Sequence, residues 1–192
     1  MNWMPDILAI IPARAGSKRL PGKNMIDLGG RPLIAWTIEA AKKSGIFEHI
    51  FVSSDSGQII KMAIPFGVGV HVRPPHWATG EASMLPVWVT DFLNGIPWHG
   101  ATMFLQPTSP FRTSEDVVAA WEVYRASTIK SLVSVRPDGK VNGAIYLFDS
   151  SRDLIRRGLY GRESICFTMS ERNSIDIDTA EDLERARAAL NA

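Results

Sequence analysis

The chain has almost no cysteine: Cys166 is the only one in 192 residues. An internal disulfide is therefore excluded, and a lone thiol suits a reducing compartment. Excess charge of one sign is missing as well. Lys and Arg number 21 against 20 Asp and Glu, a formal net charge of +1. No global basic field argues for nucleic acid or an anionic membrane as the main partner. Long apolar runs are also absent. Ile7–Ile11 follows a start, Met1 to Asp6, without a basic region, and it falls far short of the roughly 18 residues that span a bilayer. The expectation is a cytoplasmic chain with neither signal peptide nor membrane anchor. No internal repeat, low-complexity tract or linker divides it, and its 45% apolar and 21% charged residues are an ordinary globular balance. A single domain, 1–192, is expected.

What is present is an alternation of short apolar runs and longer amphipathic stretches. Strands are expected at Ile7–Pro12, His49–Ser53, Gly69–Val72, Thr102–Leu105, Ser131–Val135 and Ala144–Phe148. Several are apolar throughout, as strands covered on both faces are. Helices are expected at Pro32–Ser44, Gln58–Phe66, Ser83–Leu93, Ser114–Ala126 and Thr179–Leu190. This order predicts a three-layer α/β/α fold with a largely parallel central sheet. Ligands of such sheets collect beyond the carboxyl ends of the strands.

The first strand runs into Ala13-Arg14-Ala15-Gly16-Ser17-Lys18-Arg19-Leu20-Pro21-Gly22-Lys23-Asn24, with four cations, two glycines and no carboxylate. Glycines admit a ligand close to the backbone, and successive amides with cations neutralise a polyphosphate. The loop is not a Walker A motif, because five residues rather than four lie between Gly16 and Gly22 and Asn24 follows Lys23. A solvated basic surface loop is the plainer alternative, but the charge sits at a strand terminus rather than on a helix face.

Near the other end, Ser174-Ile175-Asp176-Ile177-Asp178-Thr179 alternates polar and apolar. If extended, it places Asp176 and Asp178 on one face and sends the isoleucines into the core. Carboxylates so close repel unless a cation or a proton lies between them. A hard divalent ion such as Mg²⁺, shared with substrate phosphates, is the natural partner. The local alternative is that Asp178 or Thr179 caps the helix beginning near Ala180, with Asp182 completing a capping box.

Ile11-Pro12-Ala13-Arg14-Ala15-Gly16-Ser17-Lys18, followed by Pro21-Gly22-Lys23-Asn24, resembles the phosphate loop of the CMP-sialic acid synthetase (acylneuraminate cytidylyltransferase) family. Ser174 to Thr179 is similar to that family's metal-binding segment. The resemblance runs from Ile7 to about Leu190 and implies a Rossmann-like nucleotidyltransferase fold. It implies CTP and a sialic-acid-like nonulosonic acid as substrates, with CMP transferred to the sugar. It further implies that the loop, including Ala15, Gly16 and Ser17, holds the triphosphate. Arg14, Lys18 and Lys23 become phosphate ligands, and Asn24 a polar contact in the same site. Lys23 is expected at the α-phosphate, where charge builds during attack, so Lys23, Arg14, Asp176 and Asp178 are the catalytic candidates. Arg73, with Ser83, borders the base and ribose by the same likeness, although Ser83 equally suits a helix N-cap. Gln106-Pro107-Thr108-Ser109-Pro110-Phe111-Arg112 resembles the family's sugar-side loop, which makes Gln106, Thr108 and Ser109 sugar contacts. Asn142 and Tyr146 match positions near the acceptor, with core packing the alternative for Tyr146.

The likeness breaks between Val135 and Asn142. Arg136-Pro137-Asp138-Gly139-Lys140-Val141 is a bare turn where the family usually carries an extension that docks on a second subunit and supplies basic residues to the partner's sugar site. A homodimer is implied by the family and weakened by that loss. Gly80-Glu81 also departs from the usual Asp-Thr pair before Ala82. The acceptor carboxylate still needs a cation, and Lys140 or Arg112 is expected to supply it.

Overall fold

Period two along the first strand decides what packs on each side of the sheet. Ile7–Pro12 forms β1 in the computed structural model, which describes residues 7–74, 92–93, 95–96, 98–129, 131–149 and 164–191. Ile7, Ala9 and Ile11 face one side and Leu8 and Ile10 the other, all fully buried. Helix α1 (Leu33–Ser44) lays Ile34, Ile38 and Ala41 on the Ile7 side, at the three- and four-residue spacing of one helical face. It stops at Gly45, whose φ of 66° glycine adopts without strain. β2 (His49–Ser54), α2 (Gly57–Ala63) and β3 (Gly69–Val72) extend this half outward. β4 (Ala101–Leu105) leads to α3 (Ser114–Arg125), whose Val117, Ala120 and Tyr124 join the same layer. β5 (Ser131–Val135), β6 (Val141–Asp149), β7 (Ile165–Thr168) and α4 (Ala180–Leu190) follow. On the opposite face Phe92 and Leu93 pack with Leu8, Ile10, Phe104 and Phe148. Among the described residues no helix is long and apolar enough to cross a membrane.

The sheet order is β3-β2-β1-β4-β6-β5-β7. Only β6 runs against its neighbours; the other pairings are parallel. The carboxyl ends of six strands therefore share one edge with the start of β6. Loops 13–24, 106–113, 136–140 and 169–179 all gather there. β1 lies where the order reverses, with β2 and β3 outward on one side and β4 on the other. In open α/β sheets that crevice is where ligands bind. This is the expected Rossmann-like architecture.

Differences from the expected elements have local causes. The helix expected to Phe66 ends at Ala63, and Ile64–Phe66 tightens into a 3-10 turn around Pro65. β6 starts three residues early, at Val141, and a register irregularity with β5 falls between Val133 and Val135. β7 was not expected from the sequence: its four residues alternate half-buried and exposed, too short a pattern to stand out. The helix expected at Ser83–Leu93 lies outside the described residues except for Phe92 and Leu93, and Ser83 lies outside them too.

Arg112 ties the edge together from inside. Its side chain is buried, and Nη1 donates to the carbonyls of Gln106 (3.1 Å) and Ala144 (2.9 Å), joining the loop after β4 to β6. Burial pushes its pKa down to about 9 against the pull of Asp116, so it remains charged at neutral pH. Arg112→Met removes a costly buried cation but takes the closest donor from the Gln106 and Ala144 carbonyls, which keep only contacts of 3.4 Å. We expect a net loss of about 2 kcal/mol, read as a lower urea midpoint at unchanged slope. An unchanged midpoint would show that the carbonyls find other donors.

Candidate active site

Where β1 ends, the chain is fixed by hydrogen bonds to β2 and the residues that follow it. Ala13 donates its amide to the Ser53 carbonyl (2.9 Å), and Ala15 donates to Asp55 Oδ1 (2.7 Å). Asn24 Nδ2 closes the loop on itself by donating to the Arg14 carbonyl (3.0 Å). Asn24 is buried and shapes the loop from inside. Gly22, at φ 66°, starts the 3-10 turn Lys23–Met25. Gly16 has no such demand: its φ is not positive, and no protein atom lies within 4 Å of where a Cβ would stand. Neither packing nor a positive φ requires glycine there.

The acidic segment meets this loop. Lys23 Nζ lies 2.6 Å from Asp178 Oδ1, and Arg19 Nη2 lies 2.5 Å from Asp178 Oδ2. Residues 175–178 pair with no strand, and Ile177 is fully buried. The Ile177 amide donates to the Thr108 carbonyl (2.8 Å), which fastens the segment to the loop after β4. Thr179 is the helix cap, with Asp182 completing its capping box. Capping therefore uses neither Asp176 nor Asp178. Burial would raise the Asp182 pKa, but the amides of Asp178 and Thr179 and the Arg185 guanidinium hold it near 2.

Asp176 is the strained member of the pair. Its Oδ1 is buried and has no hydrogen-bond partner among the described residues. Burial raises its pKa and Asp178 adds to the rise, while a hydrogen bond from Thr108 and the charge of Lys23 oppose it. An unmatched hard oxygen beside a second carboxylate is chemistry that fits a divalent ion. No group of three or more His, Cys, Asp or Glu able to hold a metal occurs among the described residues. An ion here would take its other ligands from substrate and water.

The remaining expected residues divide. Arg14 stands near Arg73 and Asp55, because burial lowers the Arg73 pKa, Asp55 opposes and Arg14 adds to the lowering. Arg73 itself is buried, and its Nη2 donates to the Ser53 carbonyl (3.2 Å). Lys18 is exposed on the loop. Gln106 is half-buried and approaches Gly143, where its Nε2 and the Tyr146 hydroxyl each lie 3.5 Å from a hypothetical Cβ. Tyr146 is buried in the core cluster on the Leu8 face. Thr108 and Ser109, expected as sugar contacts, are both buried; Thr108 opposes the rise of the Asp176 pKa by a hydrogen bond. Asn142 is also buried and borders the cavity beside Asp176 and Asp178. Its Oδ1 accepts from Ser134 (2.6 Å) and the Ala144 amide (3.1 Å), and its Nδ2 donates to Ser174 (3.0 Å). Arg112, engaged with backbone, is not available to an acceptor carboxylate.

A cavity of about 550 Å³ adjoins Asp176 and Asp178. Its wall includes Arg19, Arg136, Asp138 and Arg185, but not Lys140, whose side chain is 73% exposed and pairs with Asp138 (3.4 Å). Sequence reasoning missed Arg19, Asp55 and Arg136. Only Asp55 had a signal, its place just past the carboxyl end of β2.

A cationic loop at the sheet's switch point, joined to paired acids at one edge, suits an α/β nucleotidyltransferase. Comparison with known proteins is more specific: a family model described as Cytidylyltransferase matches residues 8–188, and the chain belongs to that family. It is 42% identical over 159 residues to CMP-N,N'-diacetyllegionaminic acid synthase of Legionella pneumophila, a match covering 80% of this chain and 68% of that protein. It is 32% identical over 214 residues to N-acylneuraminate cytidylyltransferase of Escherichia coli O18:K1:H7, covering 94% of this chain but only about half (51%) of that longer protein. Among solved structures, CMP:2-keto-3-deoxy-manno-octonic acid synthetase complexed with CTP shares the fold. Its TM-score is 0.75 at 16% identity, over 96% of this chain and 98% of that one.

Asp176→Asn removes a buried, poorly matched charge while keeping the side chain's shape. We expect the metal-free protein to melt a few degrees higher. The sign follows from the raised pKa: as pH climbs past the unfolded value near 3.8, the folded state holds its proton longer and loses relative stability. A lower melting temperature for the variant would contradict this account of Asp176.

Proposed function

We propose that this chain transfers CMP from CTP to the anomeric hydroxyl of a sialic-acid-like nonulosonic acid, releasing pyrophosphate. The observation that carries the reading is the 2.6 Å contact between Lys23 and Asp178, which joins the cationic loop and the acidic segment into one site. The names of the relatives, which are synthases of CMP-linked keto sugars, agree with it.

In this reading the backbone of Ala15 to Ser17, with Arg14 and Lys18, receives the triphosphate, and Lys23 faces the α-phosphate. The acceptor's hydroxyl oxygen forms a bond to the α-phosphorus as the bond to pyrophosphate breaks, and the hydroxyl proton passes to solvent. The protein's work is positioning and charge neutralisation, with no covalent intermediate. Mg²⁺ is the fitting ion, and Asp176 and Asp178 would hold it; when bound it supplies positive charge to the transferring and leaving phosphates. Arg19 and Lys23 occupy both Asp178 oxygens at rest, so phosphate entry draws these cations away and opens the carboxylate. The chain acts as one nucleotidyltransferase domain, and its dependence on CTP suits the cytoplasm.

Pyrophosphate release from CTP and Mg²⁺, measured with a panel of nine-carbon and eight-carbon keto sugars, tests the reading. Release is expected with at least one nine-carbon acid; tight CTP binding without release for any acceptor would indicate a binding protein instead. Lys23→Ala should lower kcat/KM by at least about a hundredfold, through loss of charge at the reacting phosphate. Gly16→Ala should raise the CTP KM roughly tenfold while stability stays level or rises slightly, because only a ligand needs that space. A parallel fall in melting temperature would mean that the protein itself requires the glycine.

A further inference from the structure

The cavity beside Asp176 and Asp178 carries three arginines, Arg19, Arg136 and Arg185. Two are committed. Arg19 sits 2.5 Å from Asp178, and Arg185 pairs with Asp182, the carboxylate of the α4 capping box. Arg136 is different. Its contact with Asp138 is 3.4 Å long, uses Nη2, and has both side chains about half-exposed (47% and 48%). That is longer than a strong charge-assisted bond and open to water, so a better anion displaces it readily. The backbone of Arg136 is nonetheless held. Its amide donates to the Lys140 carbonyl (2.8 Å), and its carbonyl accepts from the Gly139 amide (2.9 Å), in the turn joining β5 to β6. A weakly engaged guanidinium on a fixed turn, at the mouth of a cavity floored by the reacting carboxylates, is placed to take a carboxylate through its planar fork.

We propose that Arg136 binds the carboxylate of the acceptor sugar, the group adjacent to its anomeric carbon, displacing Asp138. This rests on the reading of the chain as a CMP-sugar synthetase. It assigns to the chain's own short hairpin a role expected from Lys140 or Arg112, and it requires no second subunit. Binding exchanges the Asp138 contact for a two-point contact with the ligand, and no bond is made or broken.

Steady-state kinetics with the keto acid that the wild type uses best, and with its methyl ester, test this. Arg136→Ala should raise the KM of the acid at least about tenfold, leave the CTP KM within about twofold, and erase the preference for acid over ester. Arg136→Lys should recover part of the affinity, since a point charge replaces the fork. Asp138→Asn should move the acid KM the opposite way, downward, by removing the competing carboxylate. An acid KM unchanged in Arg136→Ala, or acid and CTP KM rising together, overturns the proposal while wild-type turnover keeps the functional reading intact. A wild type that turns over no keto acid overturns both.

Discussion

Two segments 155 residues apart meet through the Lys23–Asp178 ion pair, and the rest of the site takes its meaning from that contact. Each partner would be unfavourable alone. Loop 13–24 concentrates cations with no acid of its own, and Asp176 and Asp178 repel each other. Bringing them together offsets both penalties at one edge of the sheet. The pair is also only partly withdrawn from water, Lys23 to 13% exposure and Asp178 to 32%. It therefore joins the two segments while staying partly open to water, where ion pairs exchange partners readily.

Support for this contact lies just outside it and has a different character. Arg112 Nη1, Asn142 and the two capping boxes bond to backbone or to neighbouring side chains and tie the carboxyl-edge loops together. At the crevice itself stand a buried Asp176 oxygen without a hydrogen-bond partner among the described residues, an Asp178 paired with two cations and a glycine with empty space beside it.

The fold was legible because β1, β3 and β5 announce themselves as short apolar runs, and their bounds agree with the structure. β7 was not, because an edge strand of four residues with one half-buried face carries too little pattern. Lys23, Asp176 and Asp178 could be singled out from charge, glycine spacing and repulsion between neighbouring acids. Roles within loops could not. Asn24, Thr108 and Asn142 are polar residues at motif positions, and a sequence does not say whether an amide or hydroxyl turns toward ligand or toward its own backbone. Lys140 and Arg136 show the same limit from the other side. They stand at opposite ends of one tight turn, and only its hydrogen bonds decide which of them borders the cavity.

β6, the strand that runs against its neighbours, has a consequence beyond geometry. Because it returns directly beside β5, the link between them is a tight turn whose Arg136, Pro137 and Asp138 line the cavity that Asp176 and Asp178 also border. The turn lies outside the parallel ladders of β1 with β2 and β4, so its length is set by the β5–β6 hairpin alone.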